Sequence, residues 1–399
     1  MLEHQIDRLP NLVQFCKRCV VSNMRPRIVF DEEGVCSACR FAEVKRTQID
    51  WKARQEQLKR LLDVHRKSNG EWDVIVPCSG GKDSSMVAHR LKNDYGMHPL
   101  TVTWAPFLTT EIGKKNLESL LKIGGFSNVY GTPNPELHRQ LARCCFEELG
   151  DAWQPFAYGQ MGFAFHVAHQ MRIPLVFFGE NGEAEYGGST AHNEKPYMPV
   201  EDWAELYYKG VTIDDVMKVL WIKPYFKAKS FNFQDLTFYR PPPEKALKLA
   251  NIQMYWWSYY HCWVPQENYY YVTEHTGFQA NFERSEGTYS KYASLDDKLD
   301  GFHYYLAYIK FGIGRCTSDA SHEIRDGHLT REEGVALVHK FDGEFPKKYF
   351  AEFLEYLQIT EIEFWAIVNR WRTPQLWENY IDNMGQEPVG DWFLKEKVL

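Results

Sequence analysis

Between about residues 73 and 178, short apolar blocks alternate with longer stretches whose apolar positions recur at helical spacing. The run Asp73-Val74-Ile75-Val76-Pro77-Cys78 predicts a strand, followed by a helix to about Tyr95 and a strand around Leu100–Trp104. A helix is then expected over Glu111–Ile123 and a short strand near Val129-Tyr130. Helices over Pro135–Leu149 and Phe156–Met171 lead to a strand over Pro174–Phe178. Strands separated by helices pair in parallel through right-handed crossovers, so the expected class is α/β with a parallel sheet. Ligands of such sheets bind at the carboxyl ends of the strands. Before the sheet, Val44–Lys67 predicts one polar, charged helix. After about residue 225, Pro241-Pro242-Pro243 interrupts regular structure and the chain turns strongly aromatic from Tyr255 to Trp263. The pattern predicts three regions: 1–45, 46–225, and a mostly helical 226–399.

The first strand ends in Ser79-Gly80-Gly81-Lys82-Asp83-Ser84-Ser85, and a helix begins at once. Glycines let the backbone turn tightly and approach a ligand, while the new helix offers free N–H groups and its positive dipole end to an anion. Ser79, Ser84, Ser85 and Lys82 add donors, so Ser79 through Ser85 form a candidate phosphate cradle. A Walker A loop is excluded, because Val76 stands where its first glycine belongs and Asp83 replaces the metal-holding hydroxyl. The dinucleotide pattern Gly-x-Gly-x-x-Gly is also missing from this turn. A Gly-Gly turn capped locally by Asp83 and serine is the plainer alternative. Glycines, lysine, aspartate and serines in register after a strand favour phosphate.

Four of the nine cysteines form two pairs, Cys16-x-x-Cys19 and Cys36-x-x-Cys39, with sixteen residues between them. That spacing matches a four-thiolate zinc site, with a redox pair or two disulfides as the alternatives. Four protein ligands leave no open position, so the expected role of the zinc is structural. Cys78, Cys144, Cys145, Cys262 and Cys316 read as buried thiols.

The strand ending at Phe178 runs into Gly179-Glu180-Asn181-Gly182-Glu183-Ala184-Glu185-Tyr186-Gly187-Gly188 on the same edge as Ser79. Such an acidic, glycine-rich loop suits Mg²⁺ coordination or hydrogen bonds to a polar substrate, and Glu180 and Glu183 are candidates; an ordinary solvated loop has the same composition. The aromatic tract can stack on sugars or bases, although most of its members suit a helical core better. Lys310 and Arg315, separated by a glycine turn, are candidates for closing over phosphates or substrate, or are simply two surface cations. With a net charge of −7, the chain lacks the basic footprint of a general nucleic-acid binder. No apolar run reaches the length of a membrane span, and the start of the chain has no signal-peptide pattern. A cytoplasmic enzyme is expected.

Ser-Gly-Gly-x-Asp-Ser resembles the pyrophosphate-loop ATP pyrophosphatases, which split ATP between the α and β phosphates. Adding the zinc module with Phe30-Asp31-Glu32-Glu33-Gly34-Val35-Cys36, the loop at 179–188, and the tract Glu283-Arg284-Ser285-Glu286-Gly287-Thr288-Tyr289 to Arg315, the chain resembles the bacterial N-acetyl sugar amidotransferases. One departure is Gly182, where that family's loop is expected to carry proline.

The resemblance implies a pyrophosphate-loop domain of the adenine nucleotide alpha hydrolase type, between an N-terminal zinc module and a helical substrate domain. It also implies ATP with Mg²⁺, and conversion of an acetamido group on a free or nucleotide-linked N-acetyl sugar into an acetamidino group for O-antigen or flagellin sugars. In that reading Lys82, Asp83, Glu180, Glu183, Lys310 and Arg315 serve catalysis. The chain has neither an amino-terminal cysteine nor a Gly-x-Cys-x-Gly elbow for hydrolysing glutamine, since residue 2 is Leu2 and Gly34-Val35-Cys36-Ser37-Ala38 lacks the final glycine. A separate glutaminase is therefore expected to supply ammonia, and the resemblance implies a two-component partner in which a cyclase-like subunit accompanies it. A tRNA-thiolating pyrophosphate-loop enzyme is the alternative, opposed by the acidic charge and by the adjacent, unspaced Cys144 and Cys145.

Overall fold

The structure, a computed structural model, describes residues 1–379 and 392–399. Strands β1 (Val74–Pro77), β2 (Pro99–Trp104), β3 (Ser127–Gly131), β4 (Leu175–Phe178), β5 (Tyr197–Met198) and β6 (Gln253–Trp256) form one sheet in the order β3-β2-β1-β4-β6-β5. Every pair is parallel except β5 with β6. The strand order reverses between β1 and β4, where Ile75 registers with Val176. At such a reversal the connecting loops diverge and leave a crevice.

Alternation along the strands separates two cores. Ile75, Leu100, Val102, Val176 and Met254 point towards α5 (Pro135–Leu149) and α6 (Gln154–Met171). Val74, Val76, Leu175, Phe177 and Tyr255 face the other layer, with Leu58 and Leu62 of α2 (Trp51–His65) and Met86, Val87 and Leu91 of α3 (Lys82–Asn93). A period of two with both faces buried is what a central parallel strand requires. The expected polar helix at 44–67 is broken: α1 (Ser37–Thr47) ends, and Asp50 caps α2 by accepting from the Ala53 N–H at 2.9 Å.

The sheet continues past residue 225, because β6 pairs with β4 through residues 253–256. Part of the aromatic tract is therefore strand rather than helical core. Residues 253–256 thus belong to the sheet although they lie past the boundary expected near 225: Met254 and Trp256 bury on one face of β6 and Tyr255 on the other, and such a run suits a strand as well as a helix. Beyond it lie helices Asp300–Phe311, Arg315–Asp326, Arg331–Phe341, Phe350–Leu357 and Glu361–Arg370, as the expected helical region requires. Phe302, Phe353 and Phe364 pack with Phe146 of α5 in a third core. Phe311 and Ile313 pack under the cysteines of the N-terminal module. The helical region thus clamps both the sheet domain and the four-cysteine module. Among the described residues, no helix is long and apolar enough to cross a membrane.

Candidate active site

Two cavities meet at the strand reversal. One, of about 290 Å³, is lined by the loop after β1, the end of β4 and the segment 292–296; the other, of about 410 Å³, lies between the four-cysteine module, the segment after β4 and the helices beyond residue 300. They share Lys82, Asp83, Glu180, Tyr292 and Arg315.

The first cavity has the form of a nucleotide site. Gly80 holds φ +87°, and a Cβ there would stand 2.5 Å from the backbone nitrogen of Leu117 in α4 (Glu111–Ile123), so only glycine lets the loop pass. Gly81 caps α3 without any side-chain bond, leaving the first N–H groups of that helix available to phosphate oxygens. Ser79, Gly80, Gly81, Lys82, Asp83 and Ser84 all border this cavity. Ser85 does not: it is buried, with its Oγ 4.0 Å from Cys78 Sγ. The Ser294 hydroxyl on the cavity wall is buried with no partner among the described residues, in a residue held at φ 55°, which fits a polar ligand group.

Lys82 Nζ donates to Asp83 Oδ2 at 2.5 Å, and the other oxygen of Asp83 accepts from Asn268 at 3.0 Å. The ammonium lies 5.7 Å from the Tyr292 ring centre. Across from it, burial and then the Asp83 carboxylate push the Glu180 carboxyl up to about 7, against the pull of Lys82. Asp83 and Glu180 are two carboxylates at the mouth of a phosphate cradle, a donor set that fits Mg²⁺. Asp296, whose carboxyl is raised by burial, lines the same cavity with Asp300.

Arg315 enters because two glycines turn the chain. Gly312 ends one helix at φ +64°, and Gly314 opens the next, where a Cβ would stand 2.5 Å from Asp342 Oδ1. Asp342 accepts from the Gly314 N–H at 3.0 Å and the Thr317 hydroxyl at 2.6 Å, fixing the helix start. Arg315 then donates to Asp319 at 3.0 Å and to the Tyr304 hydroxyl at 2.6 Å, at the junction of the cavities. Lys310 lies elsewhere, on the wall of the larger cavity, buried against Glu3 at 3.1 Å and the Leu149 carbonyl at 2.7 Å. Burial lowers its pKa, and Glu3 opposes that.

The acidic segment after β4 is not a loop throughout. Asn181 caps a one-turn helix, α7 (Gly182–Tyr186), by accepting from the Glu183 N–H at 3.1 Å. Gly182 is its first residue, the position proline also fits. Glu183 accepts from Arg27 at 2.6 and 3.1 Å, which holds its carboxyl low despite burial. Glu185 is buried and accepts from Lys45 of α1 at 2.6 Å, with His322 3.5 Å away. Of the three glutamates, Glu180 alone stands in both cavities.

The four cysteines converge as the spacing implies. Cys16, Cys19, Cys36 and Cys39 are all buried, their sulfurs within 4.8 Å of one another, with Cys16–Cys39 at 3.9 Å and Cys19–Cys36 at 3.7 Å. A tetrahedron with Zn–S bonds near 2.3 Å has edges of about 3.8 Å, so the cluster fits zinc. Amide groups of Arg18 and Cys36 donate to Cys16 Sγ, and the Arg325 guanidinium lies 4.0 Å from Cys19 Sγ. Cys78, Cys144, Cys145 and Cys316 are buried, and burial pushes each thiol up. Cys262 is exposed, contrary to expectation, because it follows the short helix Trp257–Tyr260 where the chain leaves the core.

Site residues that the sequence alone leaves unmarked include Arg25 and Arg27, with the group in which buried Asp151 accepts from His303 at 2.9 Å and Lys209 at 2.6 Å, while Tyr292, Asp296 and Asp300 lie in the polar tract that runs to Arg315, which gives none of them a role of its own. They come from segments far apart in the chain. A glycine-punctuated polar tract around 283–292 is the one local signal.

The strand order, the glycine turn and the paired cavities define an α/β protein with a mostly parallel sheet, a four-cysteine module and a mostly helical C-terminal region, in which the loop that resembles a pyrophosphate loop lies at the strand reversal. Residues 286–387, about a quarter of the chain, match the family described as LPS biosynthesis protein WbpG-like, C-terminal domain, which supports the sugar amidotransferase family named by the motifs. Among solved structures, the NMN synthetase from Francisella tularensis is similar over 51% of this chain and 94% of its own, at 15% identity and a TM-score of 0.28. No curated protein matches the chain.

Proposed function

We propose that the protein is an ATP-dependent amidotransferase that turns the acetamido group of an N-acetyl sugar into an acetamidino group, releasing AMP and pyrophosphate. The observation that carries this reading is the junction of the two cavities at Lys82, Asp83, Glu180 and Arg315. A nucleotide in the smaller cavity and an acceptor in the larger would meet there.

An amide carbonyl is a poor electrophile, because nitrogen feeds electron density into it. Attack of its oxygen on the α-phosphorus forms a C–O–P link and expels pyrophosphate. Ammonia then adds to the carbon, a proton leaves the new nitrogen, and the C–O bond breaks to release AMP. Negative charge grows on the departing pyrophosphate, so pre-set donors there supply most of the catalysis. Lys82, Arg315 and the first amides of α3 are those donors. Asp83 and Glu180 would hold Mg²⁺, which neutralises charge on the phosphates.

The four-thiolate site would hold a structural zinc. Ammonia would come from a separate glutaminase with a cyclase-like subunit, and the enzyme would work in the cytoplasm, where ATP is supplied, towards O-antigen or flagellin sugars. The test incubates the protein with Mg-ATP, ammonium and a panel of N-acetyl sugars. A product about 1 Da lighter than its substrate, formed with stoichiometric AMP and pyrophosphate, is the expected result. Release of ADP and orthophosphate would overturn the reading.

A further inference from the structure

The larger cavity is crowded with cations, and nearly all are matched. Arg27 pairs with Glu183 at 2.6 Å, Lys82 with Asp83 at 2.5 Å, Lys209 with Asp151 at 2.6 Å, Lys310 with Glu3 at 3.1 Å and Arg315 with Asp319 at 3.0 Å. Arg25 differs. Among the described residues no carboxylate lies within 4.0 Å of its guanidinium, although it lines this cavity too. The nearby Glu183 is already taken by Arg27 and the Ser189 N–H.

Its position is nonetheless built. Arg25 lies in the segment between the two cysteine pairs, where the Ile28 N–H donates to its carbonyl at 3.2 Å. Its Nε donates to the Gly187 carbonyl at 2.5 Å, and its guanidinium carbon lies 5.9 Å from the Tyr186 ring centre. One edge of the fork is thereby anchored, while neither Nη group has an acceptor among the described residues. A partly buried guanidinium with two parallel donors left over matches a carboxylate or a phosphate, which accept both bonds at once.

We propose that Arg25 is the seat of an anionic group on the acceptor, so that the zinc module contributes directly to acceptor binding. The identity of that acceptor as an N-acetyl sugar rests on the function proposed above. Two sources share the chemistry, a ring carboxylate or the phosphates of a nucleotide-linked sugar. The Cys16, Cys19, Cys36 and Cys39 cluster would then act on recognition through the loop it staples.

The test measures binding calorimetrically, with the nucleotide cavity saturated by α,β-methylene ATP. Probes are N-acetylglucosamine (neutral), N-acetylneuraminic acid (carboxylate), UDP-N-acetylglucosamine (phosphates) and inorganic phosphate. Wild type is expected to bind at least one charged sugar tenfold or more tighter than the neutral one. Arg25→Gln should abolish that preference while retaining its zinc and its affinity for the ATP analogue, and Arg25→Lys should keep part of it. Loss with the carboxylate probe alone or the phosphate probe alone identifies the source. A folded, zinc-loaded Arg25→Gln that binds the charged probes as wild type does overturns the proposal. If wild type binds no sugar of either kind, the sugar reading fails separately. Arg25 is then judged on inorganic phosphate, whose binding must fall tenfold in Arg25→Gln for the anion seat to stand, and an unchanged affinity rejects it.

Discussion

Arg27 meets Glu183 through two bonds, Nη2 to Oε1 at 2.6 Å and Nε to Oε2 at 3.1 Å, joining the four-cysteine module to the first turn after β4. Arg27 presents its side chain from a left-handed backbone, φ 64°, which few non-glycine residues adopt. The pair is mostly buried, so removing one partner strands the other. Glu183→Gln is expected to cost about 1–3 kcal/mol in urea unfolding, below the full range for a deeply buried pair. A double-mutant cycle with Arg27→Met should return a coupling energy of about 1 kcal/mol or more, and additive losses would show the pair to be incidental.

Lys82 faces the phosphates in this reading, with its ammonium held by Asp83 and 5.7 Å from the Tyr292 ring centre. Lys82→Ala should lower kcat by about 100-fold or more with a smaller change in the KM for ATP, because the charge it meets grows in the transition state. Steady-state kinetics with ATP varied decides this. A rise in KM alone would make Lys82 a ground-state binder.

For the cysteine cluster, elemental analysis of reduced protein should find one zinc per chain. Chelation, or Cys36→Ser, should loosen the module before it harms nucleotide binding, since the cradle is built by β1, α3 and α4 and the smaller cavity is lined by no residue of 1–45, whereas Arg25 and Arg27 line the larger one. Proteolysis between residues 16 and 39 should accelerate at least tenfold on metal removal, while affinity for an ATP analogue changes less than threefold. Equal loss of both would mean that the zinc supports the whole fold.

Much of this arrangement is local in the chain and therefore legible in it. The strand from Val74, the glycine turn and the helix from Lys82 occupy consecutive residues, and each cysteine pair is a short turn, so periodicity and spacing suffice. The fate of Glu183 and Lys310 depends instead on Arg27 and Glu3, which are 156 and 307 residues away. No local pattern distinguishes a carboxylate that will meet a metal from one that an arginine will claim. The strand β6 was hidden for a related reason: Tyr255 and Trp256 bury on opposite faces, which an aromatic run does not reveal. Arg315 was visible only as a cation after glycines, and its place in the junction follows from the helix start fixed by Asp342.

Glu180 makes stability depend on pH in a definite sense. Its folded pKa of about 7 exceeds the ordinary 4.5, so the folded state holds a proton that the unfolded state has released between those values. The contribution of that proton is complete below 4.5 and fades as pH rises through 7. Glu180→Gln removes the effect. Without nucleotide or metal, the variant should gain about 1–3 kcal/mol on wild type between pH 5 and pH 8, read from urea midpoints. A difference that stays flat with pH would mean that Glu180 is ionised throughout.

The source of nitrogen gives the sharpest test of the proposed reaction. Cys78 adjoins the phosphate loop, but burial pushes its thiol up and its sulfur lies 3.1 Å from Ser84 Oγ, an arrangement unsuited to attack on glutamine. The protein alone should therefore use ammonium and not glutamine. Its rate should climb with pH towards the pKa of ammonium, because only the neutral amine carries a lone pair. Adding a cognate glutaminase should make glutamine the better donor and flatten that climb, since ammonia would arrive uncharged. The discriminating measurement is the amidine yield from each donor across pH, with and without the partner. Glutamine-driven turnover by the chain alone, abolished by Cys78→Ala, would place the nucleophile inside the phosphate loop and overturn the two-component reading.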